Sequence, residues 1–114
     1  MPGHEVPISE LKADLFRALS NPGRIRILER LVEGERSVGD LQPEVGLELS
    51  HLSQQLGVLR RANLVTARKD GALVFYSVKD PLLADVLATA KRLLISSLTE
   101  TQSLLADLDS DETS

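Results

Sequence analysis

Ser50, His51, Ser53, Gln54 and Gln55 crowd into one short stretch of the chain. Each carries a hydrogen-bond donor or acceptor. On the first turns of a helix, such residues reach base edges in the DNA major groove, which is wide enough to admit a helix. A glutamine suits the paired N6 donor and N7 acceptor of adenine. Arg60 and Arg61 follow about two turns later, better placed for phosphate than for bases. Farther on, Arg68, Lys69, Asp70 and Gly71 put two cations at a turn, as a hairpin contacting the DNA backbone needs. This pattern assigns base reading to Ser50, His51, Ser53, Gln54 and Gln55. It assigns backbone contact to Ser37, Arg60, Arg61, Arg68, Lys69 and Gly71. A solvated helix surface and a solvated turn use the same residue types, so the surrounding chain has to decide.

Other chemistries find less material. The two histidines, His4 and His51, have no Asp or Glu cluster at helical spacing, and no glycine-rich phosphate loop is present. That argues against an enzyme. With no cysteine there is no disulfide, thiolate metal site or thiol redox sensor. Borderline metals need thiolates and imidazoles that this chain does not supply as a set, so neither a metal site nor a cofactor is expected.

The chain of 114 residues is one domain in size, and 42% hydrophobic with 26% charged residues is a globular composition. Net charge is −4, but it is unevenly spread. Residues 49–79 hold five basic side chains against Asp70 alone, net +4, whereas 93–114 hold five acidic ones and no basic one. The basic stretch is a candidate polyanion site. The core must be aliphatic, because Phe16, Phe75 and Tyr76 are the only aromatics. No apolar run reaches the ~20 residues that cross a bilayer, and the N-terminus does not read as a signal peptide, so a cytoplasmic location without membrane partners is expected.

These residues need elements to hold them. Residues 1–8 read as a flexible arm, 9–108 as the folded domain and 109–114 as a polar, frayed tail. Ser9 caps a first helix with Leu11, Leu15, Phe16 and Leu19 on one face. Asn21-Pro22 starts a second helix, since Asn caps and Pro suits the first helical position. Its buried row is Ile25, Leu28, Leu31 and Val32, and Gly34 is read as its left-handed stop. Ser37 caps a short third helix through Leu41, and Pro43 and Gly46 break the chain. The fourth helix, Leu49 to Ala62, buries Leu49, Leu52, Leu56, Leu59 and Ala62. Asp70-Gly71 between two β-prone runs, 64–69 and 72–78, marks a hairpin. Asp80-Pro81 opens a last helix whose row Leu83, Leu87, Ala90 and Leu94 continues at Leu104 and Leu108, close to a heptad seam. The fold class is therefore mainly α with a β-hairpin: four helices, a hairpin wing and a long helix, a winged helix-turn-helix.

The sequence resembles the ArsR-type bacterial repressors in four segments. These are Leu15–Leu28 around Asn21-Pro22-Gly23-Arg24, Ser37–Leu41, Leu52–Val65, and Arg68–Gly71 through Phe75–Val78. The likeness spans about residues 9–95. It implies a sequence-specific transcriptional regulator, a repressor that binds an inverted-repeat operator. It also implies a two-fold homodimer through first and last helices, with Leu11, Leu15, Leu83, Leu87, Ala90 and Leu94 at the interface. The chain departs from the family pattern where many members carry Cys-x-Cys, here Ser37-Val38-Gly39, and where others place histidines on the last helix. The family's common recognition-helix histidine is Gln55. Its usual glycine before Leu-Val is Asn63, which tolerates the left-handed conformation that a helix end needs. The resemblance leaves room for a small-molecule effector that the sequence does not identify. The competing reading is a winged-helix module that regulates a protein partner without reading DNA.

Overall fold

The computed structural model describes the backbone of residues 5–113 and side chains through residue 110. Its elements are α1 (Ile8–Leu19), α2 (Pro22–Leu31), β1 (Arg36–Ser37), α3 (Val38–Val45), α4 (Leu49–Arg61), β2 (Val65–Asp70), β3 (Leu73–Val78) and α5 (Leu82–Thr113). The chain forms two compact units, one running through Leu83 and the other starting at Ala84.

In the first unit, α2, α3 and α4 close around an aliphatic core. Ile27, Leu28, Leu31, Leu41, Leu52, Leu56, Leu59 and Val65 are all but inaccessible to water. At about 1.5–3 kcal/mol for each fully buried aliphatic side chain, this cluster is the main favourable term in the fold. On α2, Leu28 and Leu31 are buried as expected, but Ile27 is buried in place of Ile25, which like Val32 is half-buried. On α4, Leu52, Leu56 and Leu59 are buried as expected, but Leu49 is 53% exposed and Ala62 also faces solvent. The stripe is therefore shorter than the hydrophobic spacing implied. From α1 only Ala18 is fully buried, and Leu11 and Phe16 remain largely exposed.

The helix ends follow local chemistry. Asn21 Oδ1 accepts from the Arg24 N–H at 3.0 Å, with Pro22 in the first position of α2. Ser37 Oγ accepts from the Asp40 N–H at 3.1 Å and starts α3. Pro43 does not break that helix but lies within it. It removes one backbone bond, and both Pro43 and Gly39, whose carbonyl would have accepted that bond, face water. Gly46, at φ +69°, provides the left-handed end. Gly34 does not play that role for α2: its φ is +152°, and Val32 caps the helix in a right-handed conformation. Ser9 does not cap α1, because the helix starts at Ile8 behind Pro7.

After α4 the chain turns through Asn63 at φ +61°. The Asn63 N–H donates to the Arg60 carbonyl and the Leu64 N–H to the Leu59 carbonyl, both at 3.0 Å. This is the pair of bonds that ends a helix in a Schellman turn, and it sends the chain directly into β2. The sheet has three strands, not two, in the order β1-β3-β2, all antiparallel. β1 pairs Arg36 with Tyr76 and Ser37 with Phe75, so the hairpin is fastened to the body by its inner strand. Asp70 pairs with Leu73, which leaves Gly71 and Ala72 as the loop. Only Gly71 has a positive φ, +62°, the pattern of a two-residue turn with glycine first rather than an Asp-Gly turn.

The second unit holds α5 from Ala84 onward; the whole helix, at 1.5 Å per residue, is roughly 48 Å long. Asp80 Oδ1 accepts from the Leu82 N–H at 2.9 Å at its start. Helix continues through Thr113, past the Leu108 boundary expected for the folded domain. Leu93, Leu94, Ile95, Leu98, Leu104, Leu105 and Leu108 are all exposed. Leu83 differs from that row: it is 7% exposed, buried within its own chain rather than available to a partner. Residues 1–4 of the expected arm and Ser114 of the expected tail lie outside the described residues. No helix among the described residues is long and apolar enough to cross a membrane.

Candidate nucleic-acid interface

α3 and α4, joined by Gly46, Leu47 and Glu48, form the helix-turn-helix, and β2–β3 forms the wing. Burial of Leu52, Leu56 and Leu59 fixes the rotation of α4 about its axis. The opposite side then presents Ser50, His51, Ser53 and Gln54 to solvent, with Arg60 and Arg61 in the last turn. Arg61 lies back over Gly57, its Nη1 only 3.3 Å from where a Cβ at that glycine would stand.

Gln55 departs from its expected place. It is 7% exposed and buried beside the core, because it falls next to Leu52, Leu56 and Leu59 on the helix. Its Oε1 accepts from Arg24 Nη1 at 2.8 Å, and its Nε2 lies 3.1 Å from His51 Nε2. Arg24 is anchored in turn by Nε donation to the Ala18 carbonyl at 2.6 Å and Nη2 donation to the Arg17 carbonyl at 3.1 Å. A buried amide must be hydrogen-bonded, and Gln55 is satisfied inside the protein. Ser37 is likewise buried, its hydroxyl occupied by the α3 cap. Neither side chain is presented to a ligand, and the reason is the same: each has an internal hydrogen-bond role.

The wing cations differ from each other. Arg68 donates Nε to Glu35 Oε2 at 2.9 Å and Nη2 to Glu35 Oε1 at 2.6 Å, while its guanidinium lies 4.6 Å from the centre of the Phe75 ring. Ser77 Oγ donates to the same Glu35 Oε2 at 3.0 Å. The Arg68 hydrogen bonds hold the Glu35 carboxyl below its ordinary pKa against an opposing desolvation, with Ser77 and the Arg68 charge adding to the lowering. The Lys69 side chain, by contrast, forms no ion pair or hydrogen bond among the described residues, and neither do the side chains of Arg60 and Arg61. Gly71 is exposed at the tip. Glu35 is the functional neighbour that the sequence did not single out; it lies 33 residues from Arg68, and no local spacing connects them.

Among the described residues no three His, Asp or Glu side chains are arranged to hold a metal ion. A surface depression of about 240 Å³, lined by Arg26, Glu29, Arg30 and Glu44, lies open to solvent and carries charges of both signs.

Comparison with known proteins agrees with this architecture. Residues 21–67, which run from the α2 cap into the wing, match the family model described as bacterial regulatory protein, arsR family. Over 103 residues the chain is 52% identical to the HTH-type transcriptional regulator Rv0081 of Mycobacterium tuberculosis, covering 90% of both proteins. The crystal structure of Rv0081 superposes with a TM-score of 0.77 over 85% of this chain and 98% of that one. A biofilm growth-associated repressor of Xylella fastidiosa is 40% identical over 75 residues, 66% of each protein. The homodimeric winged helix-turn-helix DNA-binding domain Mb0332 of Mycobacterium bovis is 27% identical, with a TM-score of 0.74 over 88% of this chain and 95% of that domain. The chain therefore belongs to the arsR family of bacterial regulatory proteins, and it is a winged helix-turn-helix transcriptional regulator.

Proposed function

We propose that the protein is a homodimeric repressor that reads an inverted-repeat DNA operator with α4 and grips the flanking backbone with the wing. The observation that carries this reading is the solvent face of α4. Ser50, His51, Ser53 and Gln54 stand together there, one turn or more from Arg60 and Arg61, whose charges no carboxylate neutralises among the described residues. Gln54 is the base reader, because it is the exposed glutamine. Arg60, Arg61, Lys69 and the Gly71 backbone meet phosphates, which fix register without reading sequence. Arg68 contributes by holding the wing through Glu35 rather than as a free cation.

Dimerisation is supported by the apolar side chains left in water: Leu11 on α1, and Leu94 and its neighbours on α5. On α1 the half-buried Leu15, and on α5 the half-buried Leu87 and the exposed Ala90, are assigned to the dimer contact as well. An exposed apolar row such as that of α5 marks a protein interface on a small chain. A two-fold dimer places two copies of α4 about one helical turn of DNA apart, or a multiple of it, and so selects an inverted repeat. The work of this protein is binding, in the cytoplasm with the DNA, and no catalysis is assigned to it.

Selection from random duplexes tests the reading. The wild-type protein should enrich an inverted repeat, and Gln54→Ala should lose about 1–3 kcal/mol on that site and relax one position in each half. Equal losses on specific and random duplexes would remove α4 as the reading head. No enrichment, together with no salt-dependent duplex binding, would leave the protein-partner reading instead.

A further inference from the structure

The chain Arg24–Gln55–His51 crosses from the start of α2 to the exposed face of α4, and its chemistry has a direction. Arg24 is a donor only, so the Gln55 atom facing its Nη1 at 2.8 Å has to be the carbonyl oxygen. The amide nitrogen then faces His51 Nε2 at 3.1 Å, and that nitrogen is a donor too. A hydrogen bond between them forms only if His51 Nε2 is the acceptor. A neutral imidazole has one protonated nitrogen, so the proton sits on Nδ1.

We infer that Arg24 and Gln55 are positioning residues that hold His51 as its Nδ1–H tautomer and so make it a donor on the DNA-facing surface of α4. His51 is exposed, and among the described residues it has no hydrogen-bond partner besides Gln55. With Nε2 occupied, Nδ1–H is the one polar atom the ring offers outward. It therefore meets an acceptor on a base edge: guanine O6 or N7, adenine N7, or thymine O4. Cytosine N4 and adenine N6, which are donors, are opposed at that position. Gln55, which the sequence placed among the base readers, thus acts on sequence through its neighbour. This inference rests on α4 being the reading head.

The test uses the full chain labelled with 15N, with spectra taken across a range of alkaline pH. Long-range 1H–15N spectra should give His51 the Nδ1–H pattern, assigned by its loss in His51→Gln. Gln55→Glu keeps the size and the Arg24 pairing but turns a carboxylate oxygen toward His51. It should invert the ring to the Nε2–H tautomer, an effect that loss of packing alone does not produce. In duplex selection, His51→Ala should lose its preference at one base pair per half-site by roughly three- to tenfold, the scale of one hydrogen bond. An Nε2–H ring in the wild type overturns the inference without needing any variant to fold. An unchanged tautomer in folded Gln55→Glu overturns it as well. An unchanged selected sequence in His51→Ala removes the donor's role. Failure of the wild type to select any sequence removes α4 as the reading head, while the spectra still decide the tautomer.

Discussion

Arg68 and Glu35 meet as fork to fork, joining the wing to the turn that leads from α2 into β1. Their exposed ion pair has little energetic weight of its own, but it divides the labour of the wing. On the proposed reading, Lys69, the adjacent cation, meets phosphate. Lys69→Ala should therefore flatten the log–log salt dependence of duplex binding by about one unit. Arg68→Ala should flatten it less and instead raise amide exchange in β2 and β3. Binding isotherms at several salt concentrations check the first part and hydrogen exchange the second; equal slopes for the two variants would contradict the division.

The Glu35 carboxyl also gives the wing an acid limit. Its folded pKa is depressed, chiefly by the Arg68 hydrogen bonds. Such a group contributes fully above its unfolded pKa, and the contribution is lost as pH falls through the lower, folded value. Protection of the β2–β3 amides should hold steady through neutral and mildly acidic pH and decline only below the ordinary glutamate range. Glu35→Gln should remove that decline. A loss of protection near neutrality would assign the wing's anchoring to another group.

Gly57 sets stability against function. Alanine there suits a helix interior better than glycine and should raise stability by about 0.5–1 kcal/mol in urea unfolding. The new methyl group would meet Arg61 Nη1 at 3.3 Å and displace that flexible side chain from its rest along α4. Duplex affinity should fall as stability rises. A variant improved in both would show that Arg61 has no part in holding phosphate.

Asn63 carries the turn from α4 to the wing at φ +61°. A β-branched residue there meets the left-handed penalty of roughly 1–2 kcal/mol, so Asn63→Val should lower stability by about that amount. Asn63→Gly should change it little. Both are read from denaturant midpoints at a constant slope.

On α5, Leu94 and Leu98 are 63% exposed each. Replacing both with glutamate should leave the first unit folded and convert a sedimenting dimer to a monomer, with a steep loss of operator binding. A wild-type chain that sediments as a monomer at micromolar concentration would refute the dimer directly.

What could be read from the sequence is what local chemistry decides. Asn21-Pro22, the Ser37 cap, Asn63 and the Leu52-Leu56-Leu59 stripe each depend on neighbours within a turn or two, and each has the expected structure. Less legible were the features made by distant residues. Gln55 looks like surface until Arg24, 31 residues away, takes its oxygen. β1 is two residues long and exists because β3 pairs with it, too short for any alternation to show. Pro43 reads as a breaker but is tolerated where the freed carbonyl meets water. Leu83 continues an apolar row by spacing, yet it is buried whereas Leu94, Leu104 and Leu108 of that row are exposed.

β3 is the middle strand, and Tyr76 lies within it, opposite Arg36 on one side and Ala67 on the other. The chain has no tryptophan and no second tyrosine. Excited at wavelengths where its two phenylalanines do not absorb, each chain emits from one half-buried ring in the wing. The protein carries its own optical probe, and movement of the wing on DNA can be followed in real time from unlabelled material.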